Sequence, residues 1–235
     1  MMVDYGQRST APEFMDEASA SGPELQTALK ELEYVNRYLG GISTTLRALQ
    51  QCSNRGTRSP LTLLDLGTGA ADIPRAIVQW ARMRQLEVRV VAVDFNPAVC
   101  DWARQCTAAY PEIDVQQADI FDLPFDPGSF EYVHCALFLH HFPQEEATRI
   151  IRIMYMLCRT GIMINDLHRH PIAFHAITWL TKCLSRSPMV KHDAPISVLR
   201  GFKRPELVAL GRLSGIPNLV IQRLWPFRFL ATAHK

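Results

Sequence analysis

The sequence lacks the marks of a membrane-spanning, secreted or disulfide-stapled protein. No stretch approaches the roughly 20 consecutive apolar residues that a bilayer-spanning helix requires. The opening residues carry no apolar core behind a basic cap, so we expect no signal peptide. The six cysteines are scattered and none forms a C-x-x-C pair, which favours free thiols in a reducing cytoplasm.

Signals for metal and nucleic-acid binding are also scarce. None of the eight histidines forms an H-x-x-x-H pattern beside acidic residues, so no metal site is expected. No basic stripe interleaved with aromatic residues is present, so no nucleic-acid partner is expected. Residues 181–235 carry ten Lys and Arg against only Asp193 and Glu206. Such a balance suits a solvated basic face, or one turned toward an anionic substrate or a membrane surface.

What remains is the composition of a globular protein. Of the 235 residues, 48% are hydrophobic and 20% are charged, which suffices to bury the core of one α/β domain with a small appendage. Residues 1–20, rich in Ser, Ala and acidic groups, are expected to form a flexible tail. Apolar residues at helical spacing predict an N-terminal helical cap over 21–55, and 56–235 then form the main domain.

Strands and helices alternate through the main domain. The predicted strands are nearly continuous apolar runs, which is typical of a parallel sheet covered by helices on both faces. They are Leu61–Leu66, Val88–Asp94, Ile113–Ala118, Tyr132–Phe138 and Gly161–Asn165, with helices over Ala70–Met83, Pro97–Ala109 and Gln144–Leu157. A helix over Arg204–Leu210 and two strands, Leu219–Leu224 and Phe227–Ala233, are predicted to end the domain with an antiparallel edge.

The strongest chemical signal is a glycine turn, Asp65-Leu-Gly67-Thr68-Gly69, between the first strand and its helix. Glycines there let the backbone approach a ligand closely. A dinucleotide fingerprint would have its third glycine where this chain has Asp72. A carboxylate at that helix N-terminus would repel a pyrophosphate, so the turn suits a ligand with cationic groups and no phosphate.

Acidic residues follow the next two strands. Asp94 ends the second strand, where it can accept both hydroxyls of a ribose, and Phe95 beside it can pack on an adenine. Asp119 follows the third strand, where it can accept a hydrogen from the adenine amino group while Ile120 packs on the ring.

These segments, in this order, resemble the class I S-adenosylmethionine-dependent methyltransferases from Leu61 to about Asp166. The resemblance implies a Rossmann-like, doubly wound seven-stranded sheet with an antiparallel last strand. It implies S-adenosylmethionine as cofactor, held by Asp65, Gly67, Thr68, Gly69, Asp94, Phe95, Asp119 and Ile120, with Cys135 flanking the methionine moiety.

Other segments are similar to those of quinone-biosynthesis methyltransferases and of bacterial methyltransferases linked with phenolic lipids. They are 35–41, which includes Arg37, then 165–169 and 191–197. The implied acceptor is a small, partly apolar hydroxylated or phenolic molecule, methylated on oxygen or carbon.

Candidate catalytic and acceptor-binding residues stand at the carboxyl ends of later strands. His140 and His141 could act as general base, because a neutral imidazole can take a proton from an attacking hydroxyl; each could equally pack or cap the next helix. Contacts to the acceptor are expected from a second group of residues, in which His192 could pair with Asp193. The group is Asn165, Asp166, His168, Arg169, His192 and Arg37.

Residues 167–200 are expected to form a lid or substrate insertion. Its apolar run Ile172–Leu184 is compatible with core packing, a substrate pocket, a dimer face or a membrane-surface patch. Two other functions stay open: an NAD-dependent oxidoreductase, which Asp72 disfavours, and an S-adenosylmethionine-binding protein without catalysis. A nucleic-acid methyltransferase is disfavoured because Ala136-Leu-Phe-Leu139 stands where a Pro-Pro-Tyr/Trp motif would be.

Overall fold

A computed structural model of the protein describes residues 3–17, 19–53 and 60–235. Seven strands and eight α-helices make up most of this part, together with two short 3-10 turns at Phe14–Asp16 and Leu139–His141. The strands are β1 (Leu61–Leu66), β2 (Val88–Asp94), β3 (Ile113–Gln117), β4 (Phe130–Ala136), β5 (Cys158–Leu167), β6 (Val220–Leu224) and β7 (Arg228–His234). The helices are α1 (Gly22–Tyr38), α2 (Gly41–Ser53), α3 (Asp72–Arg82), α4 (Pro97–Thr107), α5 (Gln144–Leu157), α6 (Pro171–Leu184), α7 (Pro188–Arg200) and α8 (Arg204–Leu213).

All seven strands form one sheet in the order β3-β2-β1-β4-β5-β7-β6. Strands β1 to β5 run parallel, whereas β7 is antiparallel to both β5 and β6. The predicted doubly wound sheet with an antiparallel last strand is confirmed. β7 lies inside the sheet and β6 at its edge, which fits the sequences: every β7 residue but His234 is buried, while β6 alternates.

The strand ends nearest the glycine turn share one edge of the sheet. Because β1, β2, β4 and β5 are parallel neighbours, their carboxyl ends lie side by side. The polar residues that follow them are thereby collected into one region. Asn96 shows how local sequence starts the next helix there, since its side chain accepts hydrogen bonds from Ala98 N and Val99 N.

The described part of the N-terminal segment packs on the domain, where composition alone predicted a flexible tail. The Arg8 guanidinium donates to the carbonyls of His140 and Phe142, at 2.6 and 3.0 Å. Phe14 N donates to Asp193 Oδ1 at 2.8 Å. These partners lie more than 100 residues away in sequence, so composition could not reveal them.

Segment 167–200 forms two helices, α6 and α7. The apolar run Ile172–Leu184 forms most of α6, whereas no sequence pattern indicated α7, which contains Pro195. Within the described residues, no helix combines the length and apolarity needed to cross a bilayer.

Candidate functional site

A cavity of about 990 Å³ opens at the carboxyl edge of the sheet. Its floor comprises the residues that follow β1, β2, β3 and β4, and its walls come from α1, α6, α7 and the segment around Glu13. This volume is at the upper end of the range for ligand sites, large enough for more than one small ligand. Ten of the predicted site residues line it: Asp65, Gly67, Thr68, Gly69, Asp94, Phe95, Asp119, Ile120, His140 and His141.

The glycine turn is held from behind. Asp65 is buried, and its Oδ2 accepts a 2.7 Å hydrogen bond from the Thr68 hydroxyl. Gly67 has φ +65°, and a Cβ there would lie 2.1 Å from the Phe138 ring. Gly69 has φ +55°, and a Cβ there would make only an ordinary contact, 3.8 Å from Leu29 Cδ2. Both glycines are therefore required, the first by conformation and contact and the second by conformation.

Asp94 joins the turn to the second strand. Its Oδ2 accepts from Gly69 N at 3.0 Å and its Oδ1 from Asn96 N at 3.1 Å. Burial raises the pKa of Asp94, although these backbone hydrogen bonds oppose the shift. Phe95 beside it is exposed at 57% and borders the cavity, as an aromatic platform for a flat ligand would.

Asp119 and Ile120 complete this side of the cavity. Asp119 is exposed, and its Oδ1 accepts from Phe121 N at 2.9 Å. Ile120 is buried in the hydrophobic core, and it also lines the cavity.

Asp72 is a cavity residue that the site prediction omitted. Its Oδ2 is buried without a hydrogen-bond partner. Burial raises its pKa to about 6, Asn36 opposes the rise by a hydrogen bond, and Glu33 adds to it. The sequence contained the signal, an acid in place of a glycine, but only the fold shows that its carboxylate faces a ligand space.

His140 and Asp166 form a buried pair at the wall of the cavity. His140 Nδ1 lies 2.7 Å from Asp166 Oδ1, and His140 N donates to Asp166 Oδ2 at 3.1 Å. Burial alone would raise the pKa of Asp166, but the charge and hydrogen bond of His140 and the N–H of Leu167 hold it below its usual range. His140 lines the cavity, and its buried Nε2 has no hydrogen-bond partner among the described residues. Asp166 thus fixes the tautomer that leaves Nε2 free as an acceptor.

The N-terminal segment adds two carboxylates to this region. Glu13 Oε1 is buried without a hydrogen-bond partner and lies 3.7 Å from His140 Nε2. Asp16 Oδ1 lies 2.6 Å from His141 Nδ1. Burial raises the pKa of Glu13, against His141, the Ser197 hydroxyl and Arg200. Sequence reasoning missed both acids because they belong to the expected tail.

Donor atoms of Glu13, His140 and His141 lie within 4.8 Å of one another, so one metal ion could contact all three. The sequence predicted no metal here. Two observations disfavour a cation: the Arg200 guanidinium lies 3.5 Å from Glu13 Oε1, and Asp16 already occupies His141 Nδ1. The carboxylate of Glu13 and the imidazoles of His140 and His141 are instead placed to share a proton.

The other predicted site residues do not line the cavity. The Arg169 guanidinium is buried in an ion pair with Glu206, 2.6 Å apart, and donates to Gly201 O. His192 stacks on Phe14 and pairs with Asp193 at 2.7 Å, as its sequence suggested. These contacts give both residues structural partners. The remaining members outside the lining are Arg37, Cys135, Asn165, Asp166 and His168.

Asn165 belongs to a buried polar network beneath the helical cap. Its Nδ2 donates to Gly41 O at 2.8 Å and to the Thr45 hydroxyl at 3.1 Å, and its Oδ1 accepts from Arg228 at 3.2 Å. The same network includes a second histidine–aspartate pair, in which His134 Nδ1 lies 2.6 Å from Asp65 Oδ1. The network fixes the cap to the sheet.

Known sequences resemble this chain over its central part. Residues 63–161 match the family model of a methyltransferase domain. The ubiquinone biosynthesis O-methyltransferase of Xanthomonas euvesicatoria pv. vesicatoria (strain 85-10) is 29% identical over 130 residues, 54% of this chain and 51% of that protein. The chain therefore spans about half the length of this curated relative.

Solved structures share the whole architecture. A SAM-dependent methyltransferase from Aquifex aeolicus has a TM-score of 0.60 at 13% identity, over 88% of this chain and 97% of that chain. Magnesium protoporphyrin IX methyltransferase from Synechocystis PCC 6803 with bound SAH has a TM-score of 0.57 at 15% identity, over 83% of each chain. At such identities the likeness shows the fold alone.

Proposed function

We propose that the chain is a class I S-adenosylmethionine-dependent methyltransferase, similar to quinone-biosynthesis enzymes, and that it methylates a small, partly apolar hydroxylated or phenolic acceptor. The methyl group goes to oxygen or to an acidic carbon. The observation that carries this proposal is His140 Nε2, an unpartnered base in the cavity wall with a buried carboxylate behind it.

The cofactor side of the cavity is assigned to the residues after β1, β2 and β3. Asp94 would accept the ribose hydroxyls, Phe95 and Ile120 would pack on the adenine, and Asp119 would accept from its amino group. Asp72 would face the cationic methionine end, since its buried oxygen lacks a partner. When bound, S-adenosylmethionine supplies a methyl group already activated by a positive sulfur.

We assign the acceptor side of the cavity to the pair formed by His140 and Asp166. As the acceptor's oxygen or carbon bonds to the methyl carbon and the sulfur–carbon bond breaks, His140 Nε2 takes the acceptor's proton. Asp166 orients the ring and stabilises the imidazolium that forms. Atoms and charge balance, because the sulfonium becomes a neutral thioether while the proton passes to the imidazole. Asp166 is a positioning residue, and His140 is the catalytic one.

The walls define the rest of the acceptor. Apolar side chains from α6 and α7, including Ile177, Leu180 and Val190, border the cavity that His140 also lines. They favour an acceptor with an apolar body and a polar reacting end. Asn165 and Arg169 are assigned structural roles, since their polar atoms already have buried partners.

The first test is calorimetric titration with S-adenosylmethionine, S-adenosylhomocysteine and NAD. We expect the first two to bind and NAD not to bind. Asp94→Ala should weaken S-adenosylmethionine binding by about 1–3 kcal/mol, the usual cost of leaving polar groups unpaired. Binding of NAD in preference to S-adenosylmethionine would support the oxidoreductase alternative and overturn the proposal.

The second test measures S-adenosylhomocysteine release with a panel of phenols, catechols, hydroxynaphthoquinones and β-keto esters. His175→Gln, on the exposed surface of α6 and outside the cavity lining, is the matched control for His140→Gln. Release that is lost in His140→Gln and retained in His175→Gln supports the proposal. Tight binding with no release from any acceptor would favour a binding protein without catalysis.

A further inference from the structure

The cavity opens through a rim of exposed aromatic and aliphatic side chains. Trp225 is 82% exposed, Trp179 is 68% exposed and Ile172 is 61% exposed, yet all three also border the cavity. Exposed side chains of this size are usually isolated, whereas these gather at one opening. We name the rim surface by its six exposed members: Tyr34, Tyr38, Ile172, Trp179, Leu184 and Trp225.

Three elements hold the rim surface together. A Cβ on Gly40, just after α1, would lie 3.1 Å from Pro226 and from the carbonyl of Trp225. Glu31 of α1 accepts from Ser185 Oγ and Arg186 N, directly after α6. The end of α1 is therefore beside the β6–β7 turn, and the middle of α1 is beside the end of α6.

Unpaired basic residues lie beside the rim surface, where the acid Glu31 already accepts hydrogen bonds from Ser185 Oγ and Arg186 N. Helix α6 contains no Asp or Glu, and the exposed residues Arg37, Lys182 and Arg186 form no salt bridge with any described residue. The one acid of α7, Asp193, is buried and bonded to Phe14 N and Met15 N. Exposed aromatic residues beside unpaired basic residues are typical of protein surfaces that bind anionic lipid.

We propose that the rim surface docks on a membrane rich in anionic lipid, with the cavity opening toward the bilayer. The apolar side chains enter the interfacial region, and the basic residues face the headgroups. An acceptor with an apolar body could then pass between bilayer and cavity without crossing water. The docking does not depend on turnover, so it goes beyond the proposed methyl transfer and can fail separately from it.

The test is cosedimentation of the full chain with vesicles, once with phosphatidylcholine alone and once with phosphatidylcholine and phosphatidylglycerol in equal parts. We expect binding only to the second, weakened by added salt. The double variant Trp179→Ser/Trp225→Ser should lower partitioning at least about tenfold, because it removes two large apolar side chains. Lys182→Gln and Arg186→Gln should each lower it about fivefold.

The matched control is Met83→Ser, which removes an equally exposed apolar side chain, 75% accessible, at the far end of α3 from the cavity. It should bind vesicles like the parent. No binding to anionic vesicles overturns the proposal, and so does binding that the rim variants leave unchanged. Analytical ultracentrifugation tests whether a second copy of the chain covers the rim surface instead of a membrane. A dimer that the double variant dissociates would identify the surface as a contact between two copies of the chain.

Discussion

The protein contains two buried histidine–aspartate pairs that differ in what meets the far nitrogen of the ring. His134, within β4, pairs with Asp65 of β1, and its Nε2 lies 2.9 Å from the Thr45 hydroxyl. His140, just beyond β4, pairs with Asp166 of β5, and its Nε2 has no hydrogen-bond partner. The first pair is closed and the second is open toward a cavity.

The difference follows from position along one strand. His134 is opposite Asp65 in the parallel register and is covered by α2. His140 lies past the end of β4, in the 3-10 turn Leu139–His141, where it borders the cavity. The same two side chains thus form a structural bond inside the sheet and a base at its end. Proximity of a histidine to a carboxylate is not by itself a catalytic signal.

The largest expected effect comes from breaking the open pair. His140→Ala should lower turnover by about 10²–10⁴-fold, the contribution of a general base, and leave S-adenosylmethionine affinity unchanged. Added imidazole should restore part of the rate, which a merely structural histidine would not allow. Asp166→Asn should also lower turnover, since the ring loses its orienting carboxylate. Equal turnover in the parent and His140→Ala would remove the base from the mechanism.

Breaking the closed pair should cost stability. His134→Leu leaves Asp65 buried with one oxygen unpaired, and we expect the free energy of unfolding to fall by about 3 kcal/mol. Urea unfolding measures it. The glycine turn depends on Asp65, so cofactor affinity should fall as well. A variant as stable as the parent would show that the pair contributes nothing.

Asp72 differs from both pairs, because its carboxylate is bonded to no histidine among the described residues. The folded pKa of Asp72, about 6, lies above its ordinary 3.8, so the folded state retains a proton that the unfolded state releases. Stability therefore falls as pH rises from about 4 to about 6. Because Asp72 keeps partial exposure, Asp72→Asn should stabilise the ligand-free protein at pH 7 by about 1–2 kcal/mol rather than the full shift.

The same variant should weaken S-adenosylmethionine binding, because it removes the charge that faces the cation. Thermal unfolding at pH 4 and pH 7, with and without the cofactor, separates the two effects. If Asp72→Asn destabilises the protein at pH 7, the ionised carboxylate has a stabilising partner in the folded state.

Opening the closed pair is a gentler change. Thr45→Val keeps the volume of the side chain but removes the hydroxyl that meets His134 Nε2 and accepts from Asn165. We expect a loss of about 1–2 kcal/mol in urea unfolding and no change in turnover per folded molecule. Reduced turnover would mean that the two pairs communicate.

The smallest effect concerns His168, which has no carboxylate partner. Burial lowers its pKa to about 4, with Arg223 and His170 adding to the shift. The unfolded state therefore binds a proton first as pH falls below 6.5, and stability decreases between 6.5 and 4. His168→Gln should flatten this part of the stability profile. An unchanged slope would place the acid sensitivity in other residues.

Local patterns predicted the sheet and ten residues that line the cavity, but not the acids Glu13 and Asp72. The apolar strands with glycine and acid at their ends are contiguous in sequence, so β1, β2 and the turn at Gly67 were found with their bounds. Glu13 and Asp72 could not be assigned in this way. Glu13 reaches His140 only through the fold, 127 positions further along the chain, and the role of Asp72 depends on which way its carboxylate points.

Phe138 connects the two halves of the cavity, with consequences for protein engineering. Its ring occupies the space that a side chain on Gly67 would need, and Phe138 also borders the cavity. A smaller residue at 138, chosen to admit a bulkier acceptor, would also remove the support of the cofactor turn. Selection for new acceptors should therefore start at Ile177 or Val190, which border the cavity from α6 and α7 and not from the glycine turn. One aromatic ring makes acceptor range and cofactor retention a joint trait.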